Sequence, residues 1–495
     1  MSTVVIAAGL EAPSLEWGDL APLLVLLAGA CSLLLLGSLV RGWTQRLGTA
    51  LTTAVALTSG AWWAIVWERD STVVGRFIIA DALTIDRATA LTGMVVAAAA
   101  AAASLLLHSR PQNGEGTEVN ALLLTSAIGA VVLAGANDLV SLFLGLEILS
   151  LSLYLLAASN RRRDASQEAG FKYFVLGGVA SAFMLYGIAL VYGATTSTSL
   201  DVIRTGLEAQ ARVSGSDALL LVGIGLLLVG LAFKVSAVPF QIWTPDVYEG
   251  APTAVTAYMA SAGKVAAFVA LSRVIVDTFG RRVDDWRPAL WALAILSTVV
   301  GSVMAISQTN VKRLLAYSSI SHAGFVLVGL EAAGARDTQG VPASMAYLVA
   351  YAVMVLGSFA SVVAVTGRDD GDASLESFRG LARRHPQLAL AFSVLLLAQA
   401  GVPLTSGFVV KFGVISAAVD AGSNVLAVVA MVAAVIAAFL YLKIMVSMWL
   451  EDPADAGCPV VPAPVAVVIA VAVGFTLLVG FLPGWLVNAT SSIGG

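Results

Sequence analysis

Three lysines lie inside long apolar segments, where charged side chains are rare. Lys234 follows the apolar run 218–233, Lys264 lies about midway along 251–277, and Lys411 lies eight residues after Pro403. An ionisable group buried in a membrane is costly, so it is a functional candidate by default. A desolvated lysine can give up its proton, whereas arginine keeps its charge in almost any environment. The pattern therefore indicates proton chemistry.

A carboxylate and a histidine accompany these lysines. Glu147 lies in the apolar stretch 139–155 and His322 in 314–330. A carboxylate opposite Lys234 would stabilise both charges and couple their protonation. Structural roles compete with this interpretation. The Glu147–Lys234 pair would then fix helix packing, Lys411 would cap a half-helix, and His322 would be a polar packing residue.

The composition places these residues in a membrane. The 495 residues are 59% hydrophobic and 12% charged, with a mean hydropathy of +0.91. Soluble domains carry about 25% charged residues. We therefore predict an all-α polytopic membrane protein. The net charge of −4 argues against nucleic-acid binding.

Redox cofactors are not expected in this chain. Two cysteines, Cys31 and Cys458, are too few for an iron–sulfur cluster, a zinc site or a disulfide framework. The three histidines, His108, His322 and His385, do not suggest a haem pair. We predict no cofactor and no metal here, and any electron transfer must occur on another chain.

A membrane helix needs about 20 apolar residues. By this rule we predict about 14 transmembrane helices, which lie near 20–40, 47–67, 84–107, 119–136, 139–158, 166–193, 218–240, 251–277, 287–306, 311–333, 342–366, 386–420, 424–449 and 460–487. The longest polar stretches, around 195–217 and 367–385, are predicted to be loops.

Two of these segments are interrupted, and their positions suggest an internal repeat. Pro239 follows Lys234 by five residues, and Gly401, Pro403 and Gly407 interrupt the twelfth segment. Broken helices carrying charge are typical of ion paths in transporters. Each break is fourth in a block of five helices, and an odd number inverts the second block. The predicted organisation is 1–118 with helices 1–3, a first five-helix repeat over 119–277, an inverted second repeat over 287–450, and a last helix in 451–495.

Basic residues in alternate loops predict the orientation. One set of loops, which we name the arginine-rich face, holds twelve basic residues: Arg41, Arg46, Arg110, Arg161, Arg162, Arg163, Lys312, Arg313, Arg368, Arg379, Arg383 and Arg384. The opposite face holds nine: Arg69, Arg76, Arg87, Arg204, Arg212, Arg281, Arg282, Arg287 and Arg336. Because basic loops stay inside, both termini are predicted on the outer side of the membrane.

Three motifs resemble a known family. Residues 233–253 read Phe-Lys-Val-Ser-Ala-Val-Pro-Phe-Gln-Ile-Trp-Thr-Pro-Asp-Val-Tyr-Glu-Gly-Ala-Pro-Thr, and residues 310–322 read Asn-Val-Lys-Arg-Leu-Leu-Ala-Tyr-Ser-Ser-Ile-Ser-His. The third motif, 401–412, begins Gly-Val-Pro and ends Lys-Phe. These runs resemble the antiporter-like proton-pumping subunits of bacterial NADH:quinone oxidoreductase (respiratory complex I). The Asp-Val-Tyr-Glu form is similar to the subunit N family.

The resemblance assigns roles to five residues. Glu147 and Lys234 match the family's buried Glu–Lys pair, Lys264 the central lysine, Lys411 the lysine of the second broken helix, and His322 the histidine on the same axis. Two departures stand out. Gln241 occupies a position where many members have histidine, which removes a titrating group, and Gly263 precedes Lys264 where proline or another small residue is common.

The resemblance also implies partners and a location. These are the other membrane and peripheral subunits of complex I, including neighbouring antiporter-like subunits, in a bacterial plasma membrane. FMN, iron–sulfur clusters and quinone would then lie in partner subunits, and their redox reaction would drive proton translocation here. The alternatives are a subunit of a multi-subunit cation/proton antiporter and a purely structural membrane subunit.

Overall fold

The computed structural model describes residues 16–40, 45–69, 75–108, 116–209, 217–335, 339–367, 370–453 and 459–493. Arg41, Arg110, Arg212, Arg336, Arg368 and Cys458 lie outside these residues. Within them, thirteen helices are long and apolar enough to cross a membrane. The predicted twelfth span consists instead of two shorter helices, 386–400 and 406–420. The all-α membrane architecture of about 14 spans is therefore confirmed.

The helices are α1 (Trp17–Leu39), α2 (Gln45–Arg69), α3 (Arg87–Leu107), α4 (Gly116–Gly135), α5 (Leu139–Ala157), α6 (Asp164–Thr195), α7 (Leu200–Ala209), α8 (Asp217–Lys234), α9 (Trp243–Gly250), α10 (Thr253–Tyr258), α11 (Lys264–Leu271), α12 (Val283–Ile306), α13 (Val311–Ala332), α14 (Gly340–Thr366), α15 (Leu381–Arg384), α16 (Pro386–Ala400), α17 (Ser406–Asp420), α18 (Asn424–Leu450), α19 (Ala463–Phe481) and α20 (Gly484–Ser491). Two π-helical turns, Met259–Gly263 and Ser272–Thr278, flank α11. Short 3₁₀ turns occur at Gly280–Arg282 and Leu375–Phe378.

Three spans form the centre of the bundle. The span Val311–Ala332 is completely buried, and Thr253–Thr278 and Gly340–Thr366 are nearly so. By contrast, α1, α2, α6 and α19 bury only about one third of their residues. A helix that is apolar all round and enclosed by others lies in the core of a large bundle. The central spans therefore hold their polar side chains away from both lipid and water.

The same entry geometry occurs at α5 and α13. Asp138 caps α5 by accepting hydrogen bonds from the first-turn amides, and Asn310 caps α13 in the same way. Each cap residue also pairs as an isolated antiparallel bridge with the loop after the next span, Asp138 with Ser199 and Asn310 with Ser374. Five membrane crossings separate the two caps, so they lie on opposite faces. This equivalence supports the inverted repeat, whose bounds 119–277 and 287–450 stay a prediction.

Three local features differ from the predicted spans. The third span does not begin at residue 84, because Leu83–Ile85 forms a strand, β2, paired antiparallel with β1 (Arg76–Ile78). The predicted loop 195–217 contains α7, which buries Leu200, Ile203 and Leu207 along one face. This spacing of three and four residues is the signal of an amphipathic helix. The predicted last span divides into α19 and α20, which Pro483 separates.

Candidate functional site

Lys234 lies at the last residue of α8, where the seventh span is interrupted. The chain forms its next helix at α9. The carbonyl of Phe233 accepts from the indole of Trp243 at 3.1 Å and from the amide of Ser236 at 3.1 Å. The Lys234 ammonium is buried and donates to the hydroxyls of Ser150 at 2.8 Å and Tyr173 at 3.1 Å. The first break therefore directs its lysine toward α5 and α6.

Glu147 lies on α5, one turn before Ser150. At Gly145 the backbone of α4 comes so close that a Cβ would lie 2.5 Å from the amide nitrogen of Leu133, so glycine permits this packing. Glu147 accepts a hydrogen bond from Ser181 of α6. Glu147 and Lys234 therefore have different partners and form no direct ion pair, although the resemblance implies a pair.

A small cavity connects the surroundings of these two groups. Ser150, Ser181 and Lys234 line it, and its volume of about 10 Å³ is enough for about one water molecule. Ser181 is the donor to Glu147, and Ser150 accepts from Lys234. A hydrogen-bonded connection between the two groups would therefore run through these hydroxyls.

Lys264 is at the first residue of α11, directly after the π-helical turn Met259–Gly263. Its ammonium is buried and donates to the backbone carbonyl of Ser319 at 2.8 Å. The hydroxyl of Ser319 accepts from Tyr351 at 2.7 Å. π-helical turns are rare in proteins, and those that occur are often found at functional sites. Here the turn immediately precedes the central lysine.

His322 lies in the centre of α13 between two tyrosine hydroxyls. Its Nδ1 is 2.7 Å from the Tyr347 hydroxyl, and its Nε2 is 3.1 Å from that of Tyr441. Both ring nitrogens are thus occupied in a buried site. The Lys264 ammonium binds the carbonyl of Ser319, one turn before His322, and the Lys411 ammonium lies 5.0 Å from the ring centroid of Phe325, one turn after it. The structure brings these three predicted residues into one cluster.

Lys411 lies in α17, after the second break. Gly401 ends α16 at φ +90°, a left-handed conformation that favours glycine. The Lys411 ammonium donates to two freed carbonyls of α16, Gln399 at 2.7 Å and Ala400 at 3.0 Å. A helix C-terminus favours a cation. Lys411 therefore makes the contacts of a helix cap. These contacts are compatible with either protonation state of its amine.

Adjacent serines of α13 connect the cluster to the two lysines. Ser319 offers its carbonyl to Lys264. Ser318 lies 2.6 Å from the Tyr441 hydroxyl and 3.3 Å from the side-chain oxygen of Gln399, whose backbone binds Lys411. A buried polar axis therefore runs from Lys264 through α13 to Lys411.

Two residues counted as loop cations in the sequence have specific buried or half-buried contacts. Lys312 is 1% exposed and donates to the carbonyl of Ala251 at 2.6 Å. Arg313 donates to Asp246 at 2.7 Å and to Glu249 at 2.9 Å. The sequence contained a signal for the Arg313 contacts. Asp246 and Glu249 are three residues apart, so they share one helix face, and two carboxylates on one face favour a nearby cation.

Asp246, which accepts from Arg313, also contacts Lys172. Its partial burial raises the pKa of this carboxyl, but hydrogen bonds from Lys172 and Arg313 outweigh burial and hold the pKa below its ordinary value. Asp246 is therefore ionised at neutral pH. Lys172, which the sequence places nearer a span end, is 2.8 Å from Asp246 and 2.7 Å from Glu168.

A second buried carboxylate, Glu331, was also missed. It lies at the end of α13 on the face opposite the arginine-rich face, 2% exposed. Its Oε1 accepts from Arg287 at 3.0 Å and from Ser423 at 2.8 Å, while its Oε2 has no hydrogen-bond partner. Because Glu331 lies near the predicted end of its span, the sequence did not mark it as a buried charge. The contacts among Glu331, Arg287 and Ser423 connect the end of α17 to α12 and α13.

The structure shows the surroundings of both departures from the family pattern. Gln241 lies in the first break, with its side-chain oxygen buried and unpartnered. Gly263 closes the π-helical turn before Lys264, and a Cβ there would meet Leu153 at an ordinary 3.7 Å. Within the part of the chain that the structure describes, no group of three His, Cys, Asp or Glu could hold a metal ion.

Two interrupted spans that each carry a buried lysine are the pattern typical of ion paths in membrane transporters. Residues 136–437 match the sequence model of the family described as NADH:quinone oxidoreductase/Mrp antiporter, transmembrane. The chain belongs to this family.

Similar proteins cover between three quarters and nearly all of the chain. The chain is 40% identical to "NADH-quinone oxidoreductase subunit N" of Saccharopolyspora erythraea, with 96% of each covered. It is 47% identical to the protein of the same name from Mycobacterium tuberculosis, over 74% of this chain and 69% of that protein. A chain of respiratory complex I from Thermus thermophilus with bound aureothin is 32% identical, with a TM-score of 0.81, covering 96% of this chain and 100% of that one. A chain of the Mrp complex from Dietzia has a TM-score of 0.85 at 20% identity, which shows the fold alone; 97% of each chain is covered.

Proposed function

We propose that this chain is a membrane-arm subunit of NADH:quinone oxidoreductase that translocates protons. The buried axis that joins Lys264, His322 and Lys411 at the centre of the bundle carries this proposal. Relatives named subunit N match almost the entire chain. Quinone reduction, FMN and the iron–sulfur clusters belong to partner subunits under this proposal, and this chain carries out no redox chemistry.

The proposed route begins at Glu147 and Lys234. An electrostatic change from a neighbouring subunit alters the attraction between these two groups. Lys234 then gives its proton toward Lys264. His322 and its tyrosine partners connect Lys264 to Lys411, and discharge of Lys411 completes the cycle.

The required energies are modest. Moving one charge against 100 mV costs about 2.3 kcal/mol. One pKa unit corresponds to about 1.36 kcal/mol, so a swing of about two units in a buried lysine is sufficient. Lysine suits this function, because arginine would not release its proton.

The alternative is a subunit of a cation/proton antiporter. The family name includes Mrp antiporters, and the Dietzia Mrp chain has the same fold. Two observations favour the oxidoreductase: the higher identity to subunit N relatives and the Asp-Val-Tyr-Glu sequence at 246–249. An antiporter subunit would purify with other membrane subunits and without flavin or iron–sulfur absorbance.

The test is proton pumping by the purified complex in liposomes. The tagged chain should copurify with NADH:quinone reductase activity, flavin and iron–sulfur clusters. Lys264→Ala and Lys264→Arg should each lower the number of protons moved per NADH oxidised while the complex assembles. Arginine retains the charge but not the release of a proton, so it separates titration from packing.

Lys443→Ala is the matched control. Lys443 lies on α18 and donates to the carbonyls of Ile306 and Gln308, away from the axis. This variant should pump normally. Unchanged pumping by both Lys264 variants would refute the route, and loss of assembly with full rescue by arginine would favour the structural role.

A further inference from the structure

Gln399 forms hydrogen bonds with three different groups from one helical turn. It lies in the last turn of α16 and is 1% exposed. Its backbone carbonyl accepts from Lys411 at 2.7 Å. Its side-chain oxygen accepts from Ser318 at 3.3 Å, and its amide nitrogen donates to Ser358 at 2.6 Å. The residue thus lies between the Lys411 ammonium and the polar side chains of α13.

The side-chain amide gives the neighbouring hydrogen bonds a direction. An amide oxygen can only accept, so the Ser318 hydroxyl donates to Gln399. The oxygen of Ser318 then accepts from the Tyr441 hydroxyl at 2.6 Å. A tyrosine has one hydroxyl proton, so its oxygen is left to accept from His322.

The same direction fixes the tautomer of the neutral imidazole. Because Tyr441 donates to Ser318, it accepts the proton on Nε2 of His322 across 3.1 Å. The unprotonated Nδ1 then accepts from the Tyr347 hydroxyl at 2.7 Å. The tautomer of a histidine is set by its partners, and here the last partner in the chain is Gln399.

We propose that Gln399 is a positioning residue that couples the protonation of Lys411 to the tautomer of His322. The proposal rests on the proposed function. While Lys411 is charged, its hydrogen bond to the Gln399 carbonyl is charge-assisted and about twice as strong as a neutral one. Loss of the proton weakens this contact at the last turn of α16, which ends at Gly401.

Movement of that turn displaces the acceptor of Ser318. The Ser318 hydroxyl then has no fixed acceptor, so the directions of the Ser318 and Tyr441 hydroxyls are no longer set, and nothing holds the imidazole proton on Nε2. Under the proposed route the change of tautomer balances, because Nδ1 takes the proton that comes from Lys264 while Nε2 releases its own toward the neutral Lys411. Gln399 therefore makes the tautomer of His322 depend on whether Lys411 carries a proton.

The experiment compares Gln399→Met and Tyr441→Phe with Lys411→Ala in the complete complex in liposomes. Methionine keeps the length and the backbone carbonyl but removes the amide, and phenylalanine removes only the hydroxyl. Both single variants should retain quinone reduction and lose as much proton yield per NADH as Lys411→Ala. The double variant Gln399→Met/Tyr441→Phe should lose no more proton yield than either single variant, because both substitutions interrupt the same series of hydrogen bonds.

Ser393→Ala, on the same helix, is the control. Ser393 is buried and donates to the carbonyl of Ala389, and its variant should pump at the normal yield. A normal proton yield for Gln399→Met and Tyr441→Phe would overturn the coupling, as would additive losses of yield in the double variant. If Lys411→Ala still lowers the yield in that case, the proposed function stands. A normal yield for Lys411→Ala would refute the proposed function itself. Should Gln399→Met not assemble, Tyr441→Phe applies the same criterion.

Discussion

Lys411 shows how one side chain can cap a helix and carry a proton. A neutral amine retains two N–H groups and gains a lone pair. The two carbonyls of Gln399 and Ala400 therefore keep their donors in both protonation states. What changes is the strength of the contact, because the charge-assisted component disappears with the proton. The structural and functional interpretations of Lys411 are thus compatible.

Asp370 gives the clearest stability prediction for a single residue. It is 8% exposed and accepts from the Thr253 amide at 3.2 Å and from Arg163 at 3.2 Å, with Lys312 at 3.8 Å. Asp370→Ala removes the carboxylate that these groups share. Breaking a buried ion pair costs about 3–5 kcal/mol, so the thermal midpoint of the purified complex should fall by several degrees.

The control for this variant lies two residues away. Asp372 is exposed and accepts from Ser374 and Ser377 of its own loop. Asp372→Ala should cost no more than about 1 kcal/mol, as for a loop or cap contact. Equal losses of thermal stability in the two variants would show that the Asp370 contacts contribute little.

Among the elements, the break between α16 and α17 depends most on one residue. Gly401 has φ +90°, and a Cβ there would lie 2.9 Å from Cδ of Lys411. Gly401→Ala should therefore impose about 1–2 kcal/mol of backbone strain and also displace Lys411 from the carbonyls of α16. We expect a lower thermal midpoint and a reduced proton yield per NADH.

Gly422→Ala separates the two effects. Gly422 also has a left-handed conformation, φ +78°, but nothing lies within 4 Å of the position that an added methyl group would occupy. This variant should lower the thermal midpoint by a similar amount and leave the proton yield normal. Loss of yield in both variants would mean that strain alone, and not the position of Lys411, impairs pumping.

The sequence predicts elements better than contacts between them. Both breaks follow from glycine and proline, and the spans follow from hydropathy. The π-helical turn Met259–Gly263 has no such marker, because its residues are compatible with an ordinary helix and packing determines the bulge. The indirect relation between Glu147 and Lys234, 87 positions apart in the sequence, depends on how α5, α6 and α8 are tilted, which periodicity does not encode.

Across the whole molecule, the two repeated blocks share their helix caps but differ in the contacts of the lysines at their breaks. The caps Asp138 and Asn310 are used alike in the two blocks. The lysines at the breaks are not, because Lys234 points to hydroxyls of α5 and α6 while Lys411 binds the helix that precedes its break. The repeated scaffold therefore places the lysines of its two breaks in different hydrogen-bonding environments.

The orientation of the whole molecule is the last prediction. The start of α1 lies with the loop before α3, since Asp19 pairs with Arg76 at 3.0 Å, and this loop is opposite the arginine-rich face. Positive loops stay inside, so a reporter fused after Leu482, beyond α19, should lie outside. Alkaline phosphatase fused there should be active and green fluorescent protein dark. Fusions after Asn160, in the arginine-rich loop between α5 and α6, should give the reverse. A fluorescent fusion after Leu482 would show that the orientation is the opposite of the one predicted, with both termini inside.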